Sequence, residues 1–182
     1  IFAALDPKAF HECFMSWVRD AVQGTDGKLV AIDGKTVRRS FANEEDKRAL
    51  HLVSAWCVEN RVVLGQVATR EKSNEIAAIP ELLGLLDLRG ATVTIDAMGC
   101  QTAIAEKITA GGADYILGLK RNQPTQFDAV AEFFASAKED AFSGITTSAP
   151  HETVDGDHGR LEIRRVTACD DIDWLEGKNR WT

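Results

Sequence analysis

The chain lacks any apolar run of the roughly 18 to 20 residues that a membrane-crossing helix needs, so no membrane span is expected. It also lacks a charged-then-apolar leader, and a cytoplasmic location is the expectation. Cysteine is sparse. Cys13, Cys57, Cys100 and Cys169 are widely spread and form no C-x-x-C pair. That excludes a zinc spacing and argues for reduced thiols over a disulfide framework. No P-loop and no dinucleotide-type glycine pattern occurs. A basic excess is missing too: 21 Lys and Arg stand against 28 Asp and Glu, a net charge of −7. This argues mildly against a nucleic-acid partner held by bulk charge, but leaves local patches open. Three exist: Lys35, Arg38 and Arg39; Lys120 and Arg121; and Arg160, Arg164 and Arg165. A solvated face is the plain alternative for each. The chain starts at Ile1 and stops at "EGKNRWT", and a fragment of a longer protein is expected.

What is present reads as an ordinary globular domain. The length of 182 residues is enough for one domain with a proper core. Residues 7 to 23 predict an amphipathic helix, with Asp6 as N-cap and Phe10, Phe14, Trp17 and Val18 near helical spacing. "LVAIDG" is the first strand, and "VRRSFANEEDKR" a polar loop. "ALHLVSAWCVEN" and "RVVLGQVATR" form an antiparallel hairpin. "SNEIAAIPELLGLLDL" is a helix capped by Ser73 or Asn74, which Pro80 should kink or split. "ATVTID" is the fourth strand, "CQTAIAEKITAGGA" a short helix, "DYILGLK" the fifth strand and "TQFDAVAEFFASAKED" a further helix. "HETVDGDHGR" is turn-rich, and "LEIRRVTAC" a late strand. Trp17 and Trp56 read as core, and His51 as a hydrogen-bonded sheet histidine. The order implies an α/β fold: an antiparallel three-stranded start, then alternating helices and parallel strands in a mixed sheet, with helices on both faces.

Two strands share one grammar. "KLVAIDGKT" runs into Asp33 and Gly34, and "ATVTIDAMGC" runs into Asp96 and, three residues on, Gly99. Sites in open α/β sheets gather at carboxyl ends of strands. If these two strands are parallel neighbours, the two carboxylates lie side by side. Such a pair repels unless protonated or bridged by a cation. Oxygen donors select magnesium or manganese over zinc, and two such ions assist phosphodiester chemistry. Gly34 and Gly99 would let a phosphate backbone approach, and Lys35 would contact it. The plain alternative is that each aspartate caps a turn.

Three stretches carry a family likeness: "AIDGKTVRRS", "HLVSAWCVENRVVLGQVATREKSNEIAAIPELLGLLDLRGATVTIDAMGCQTAIAEKI" and "GADYILGLKRNQ". They resemble the H-repeat-associated insertion-sequence transposases, members of the large DDE group. The likeness runs from about Lys28 to Trp174. It implies an RNase H-like catalytic core over residues 25–182, truncated at its C-terminus, with residues 1–24 the tail of an absent N-terminal region. It implies that Asp33 and Asp96 are catalytic and hold Mg2+ or Mn2+. The implied chemistry is hydrolytic nicking of DNA at an element end, then attack of the freed 3′-hydroxyl on target DNA, by a homodimer on paired ends. The group needs a third acid. Glu162, in "DHGRLEIRR", is the one within the chain. Its placement in a strand favours instead an acid in an "HW.IEN"-type segment beyond Thr182. Lys35, Lys120, Arg121, His158 and Arg160 are the expected DNA contacts. A nuclease on the same fold without strand transfer, and an inactive remnant that only binds DNA, are the alternatives.

Overall fold

Alternating apolar residues build the centre of the molecule. A computed structural model describes residues 5–22, 24–37, 40, 49–69, 75–157 and 159–181. The chain divides into two compact units, residues 1–122 with 181–182, and residues 123–180.

The first unit holds a five-stranded sheet. Strands β1 (Leu29–Thr36), β2 (His51–Cys57), β3 (Val62–Thr69), β4 (Thr92–Ile95) and β5 (Asp114–Leu117) lie in the order β3-β2-β1-β4-β5. β1 pairs antiparallel with β2 and parallel with β4; β2 pairs antiparallel with β3, and β4 parallel with β5. This mixed sheet has the architecture of an RNase H-like fold, as the family likeness implies, but helices α1 (Pro7–Val22), α2 (Glu75–Leu85) and α3 (Thr102–Ala110) share the core on one face of the sheet, where helices on both faces were expected.

Side chains alternate across a strand, so each strand has two unlike faces. Val30 and Ile32 of β1, Val53 and Ala55 of β2, and Val93 and Ile95 of β4 are buried. They share one core cluster with Val18 and Val22 of α1, Ile79 and Leu82 of α2, and Ile104 and Ile108 of α3. The opposite face carries Ala31, Ser54 and Thr94, only half-buried, with Trp56 exposed. Trp56 is therefore not core: its position in the alternation sends it to the open side. Trp17 is exposed as well, because α1 buries Met15, Val18 and Val22, and Trp17 falls off that stripe. Asp6 caps α1, its carboxylate accepting from the Ala9 amide at 2.8 Å.

Pro80 does not split α2, which is one helix of 11 residues. Proline removes the hydrogen bond to the carbonyl four residues earlier. That residue is Ile76, on the exposed side of the helix, where water can take the bond. The expected caps Ser73 and Asn74 lie outside the described residues, as do Arg38 and Arg39 of the first basic patch.

The second unit contains α4 (Pro124–Glu139) and a hairpin of β6 (His151–Asp157) and β7 (Arg160–Val166). The stretch expected to be turn-rich is thus mostly strand. Thr153 and Val154 precede its Asp and Gly residues, and seven register pairs with β7 hold it extended. In α4 only Ala137 is buried; Val130, Phe133 and Phe134 are half-buried, and Phe133 stacks on Trp174 at 4.3 Å.

Candidate functional site

The last parallel pair between β1 and β4 is Ile32 with Ile95. Asp33 and Asp96 are the next residues of each strand. Ile32 and Ile95 point into the core, so alternation sends both aspartates to the opposite, open face. The register makes Asp33 and Asp96 backbone neighbours on adjacent strands. Both are solvent-exposed, Asp33 at 57%.

The two aspartates arrive there differently. Asp33 is not at a strand end, contrary to expectation. β1 continues to Thr36 against β2, with Asp33 opposite Ser54 and Gly34 opposite Val53. The strand runs on because β2 offers it a ladder after β4 has ended. Asp96 does leave its strand. It caps a single 3-10 turn, Ala97–Gly99, its Oδ1 accepting from the Met98 amide at 3.0 Å. The turn is braced from β5: the Gly118 amide donates to the Ile95 carbonyl at 3.0 Å, and the Asn122 side-chain amide donates to the Ala97 carbonyl. Gly118 lies so close beneath that a Cβ there would sit 3.1 Å from the Ala97 nitrogen. Asn122 is thus a bracing residue for the turn.

Lys35 lies two residues from Asp33, on the same face, and its Nζ contacts Asp33 Oδ2 at 2.7 Å. Its pKa is raised, first by the hydrogen bond to Asp33 and then by that carboxylate's charge, with Glu75 and Asp96 adding to it. In this structure the Lys35 ammonium is engaged by protein. Lys120 and Arg121 are exposed in the segment just after β5.

Gly34 and Gly99 do not open a path for a phosphate backbone. The space each leaves is filled by protein. A Cβ at Gly34 would sit 2.5 Å from Glu75 Cδ and 2.6 Å from His51 Nε2; one at Gly99 would sit 3.1 Å from Ile95 Cβ. Alternation is the reason: Gly34 follows Asp33, so it faces the core side.

That core side holds a polar pair the sequence did not flag. His51 and Glu75 are buried, with His51 Nε2 and Glu75 Oε2 3.3 Å apart. The contact has ion-pair distance but not hydrogen-bond alignment, and His51 Nε2 has no hydrogen-bond partner among the described residues. The other ring nitrogen, Nδ1, lies 3.0 Å from the Thr36 hydroxyl. Sequence reading placed Glu75 merely in the first turn of a helix. The only signal was that "KSNEI" puts a carboxylate just before an apolar stripe.

Glu162 lies in β7, opposite Asp155, and its carboxylate contacts Arg164 at 2.8 Å. It belongs to the second unit, whereas Asp33 and Asp96 belong to the first. Arg160 opens β7 and is exposed; His158 lies outside the described residues.

Two exposed carboxylates sharing one face are oxygen donors of the kind that suit a hard divalent cation. By themselves they are two donors, fewer than a coordination shell needs. Among the described residues no three His, Cys, Asp or Glu side chains converge on one metal position. Among those residues, too, no helix is long and apolar enough to cross a membrane.

Known proteins match this chain along most of its length. A family model described as "Transposase DDE domain" matches residues 24–169. An uncharacterized protein in the dhlA 3' region of Xanthobacter autotrophicus is 45% identical over 182 residues, covering 100% of this chain and 60% of its own length. The H repeat-associated putative transposase YhhI of Escherichia coli K12 is 42% identical over 180 residues, 96% of this chain and 45% of that protein. The putative transposase YncI of the same strain is 46% identical over 169 residues, 90% of this chain and 64% of that protein. The chain therefore spans about half to two-thirds of the length of these relatives. No solved structure matches it. With the aspartates of β1 and β4 aligned on one face, and the family model covering both, the chain belongs to the DDE-domain transposases.

Proposed function

We propose that this chain is the catalytic core of a metal-dependent DNA transposase, cleaving DNA at element ends and joining the freed 3′-hydroxyl to target DNA. The observation that carries the reading is the register that sets Asp33 and Asp96 next to each other on the open face of the sheet. Asp33 and Asp96 would hold Mg2+ or Mn2+. The bound ion would supply Lewis-acid polarisation of the scissile phosphate and a more acidic attacking hydroxyl. Lys35, now paired with Asp33, is placed to move its ammonium onto a phosphate oxygen once the carboxylate is otherwise engaged. Lys120 and Arg121, together with His158 and Arg160, supply further backbone contacts, which compensates locally for an acidic chain. The third acid is read in the additional length that the relatives carry, with Glu162 the candidate within the chain. For Glu162 to take that role, its pairing with Arg164 would have to open. The family likeness adds a homodimer on paired ends.

The test is Mn2+ binding, read by the ion's electron paramagnetic resonance signal, alongside nicking of duplex DNA in Mg2+. Asp33→Asn and Asp96→Asn are each expected to lose Mn2+ binding and to lower nicking at least ~100-fold, the scale of losing a positioned electrostatic group at a reaction centre. Melting temperature should hold. Unchanged Mn2+ affinity in both variants would overturn the site. Cleavage without joining would identify a nuclease on the same fold.

A further inference from the structure

We infer that His51 and Glu75 are a positioning pair for the Asp33 carboxylate, acting through the backbone of Gly34. The inference rests on the reading of Asp33 as a metal ligand.

The part of β1 that carries Asp33 is supported on one side only. Up to Ile32 the strand is flanked by β2 and β4; from Asp33 to Thr36 the ladder continues on β2 alone. The spacing between Asp33 and Asp96 therefore depends on what holds this overhanging stretch from below. The support at Gly34 is the polar pair. Its missing side chain leaves a gap that the Glu75 carboxyl and the His51 ring fill, at 2.5 and 2.6 Å from where a Cβ would stand. The pair is anchored at both ends. Glu75 opens α2, and His51 begins β2, directly opposite Thr36, whose hydroxyl reaches its Nδ1. When Nδ1 accepts from Thr36, the ring proton sits on Nε2 and faces Glu75. The overhang from Gly34 to Thr36 thus rests on one histidine and one carboxylate that are 3% and 8% exposed.

Stability alone does not account for such a pair. Burying two ionisable groups costs desolvation, and apolar residues of similar volume are often equally good or better. What an apolar filler would not supply is a polar link to β1 through the Thr36 hydroxyl, three residues from Asp33. Ligand-supporting residues outside a metal's own shell commonly govern affinity by 10- to 100-fold.

The experiment compares wild type, Glu75→Ala and Glu75→Gln by hydrogen–deuterium exchange of the Gly34–Thr36 amides and by Mn2+ affinity. Glu75→Ala is expected to stay folded, to lose protection in that segment alone, and to bind Mn2+ about tenfold more weakly or worse. Glu75→Gln keeps the volume and an acceptor for the ring proton, and is expected to restore both. A folded Glu75→Ala with unchanged exchange and unchanged Mn2+ affinity overturns the proposal. If wild type binds no Mn2+, the metal reading fails by itself, and the exchange data still decide whether the pair holds the strand. Should Glu75→Ala not fold, His51→Leu combined with Glu75→Leu fills the space without polar atoms. Weakened Mn2+ binding in that variant supports the proposal, and wild-type binding overturns it.

Discussion

Strand β1 shows two carboxylate environments on its two faces. On the open face Asp33 is exposed and pairs with a mobile-chain cation, Lys35, itself 80% exposed. On the core face Glu75 reaches under Gly34 and pairs with a histidine that has almost no contact with water. Both are acid–base pairs at hydrogen-bonding or near-hydrogen-bonding distance, yet their physics differs. The exposed pair is screened by solvent and can exchange partners at little cost. The buried pair stays together because neither group has water to turn to if the other withdraws. One face is built to let go of its partner, and the other to stay as it is.

The largest way to break this comparison is chemical: Asp33→Asn should abolish metal binding and leave folding alone, as set out above. The next is steric. Gly34→Ala drives a Cβ into Glu75 and His51 and is expected to cost about 1–3 kcal/mol, the usual price of overpacking a filled site. Gly156→Ala, in the hairpin with nothing within 4 Å, should stay within about 0.5 kcal/mol. Equal denaturation midpoints for the two variants would show that the space under Gly34 is softer than its contacts imply. A smaller effect is expected at Lys35. Lys35→Ala should leave the melting temperature unchanged while lowering the slope of log DNA affinity against log salt by about 1. A fall in melting temperature would mean that the open-face pair is structural after all.

The smallest effect sharpens what an exposed pair does here. Asp87 is held by the Arg89 guanidinium, at 2.9 and 2.7 Å, which lowers its pKa from 3.8 to about 2. A carboxyl whose folded pKa is depressed contributes stability above its unfolded pKa, and that contribution disappears as pH falls through the folded value. The loss therefore belongs between about pH 4 and pH 2. Arg89→Ala should return the Asp87 carboxyl, followed by NMR, to titration near the ordinary value. A midpoint that stays near 2 would assign the shift to the Arg89 backbone amide instead.

The strands of the sheet were legible because period-two alternation is written in neighbouring residues: "LVAID" and "TVTID" carry it openly. The β6 stretch was not. Its apolar content is low, and what holds it extended is a ladder to β7, seen only when the partner is present. Trp17 and Trp56 misled for a related reason. Size and apolarity argue for burial, but the face on which each residue lands is set by its neighbours' periodicity. Asp33 and Asp96 were found from the same periodicity, because a carboxylate after an apolar alternation is a local signal.

The sequence by itself determined the order of helices and strands up to α4, the alternation that sends Asp33 and Asp96 outward, and the family to which the chain belongs. Those are properties of short windows and of their order along the chain. Only the tertiary structure decided that β1 and β4 are parallel neighbours, that β1 overhangs β4, and that Gly34 makes room for protein and not for DNA. His51 and Glu75 are 24 residues apart in the chain (75 minus 51), and nothing local couples them. They meet because β2 pairs with β1 while α2 packs against the β2–β3 hairpin, and packing between distant segments is what a linear pattern does not contain.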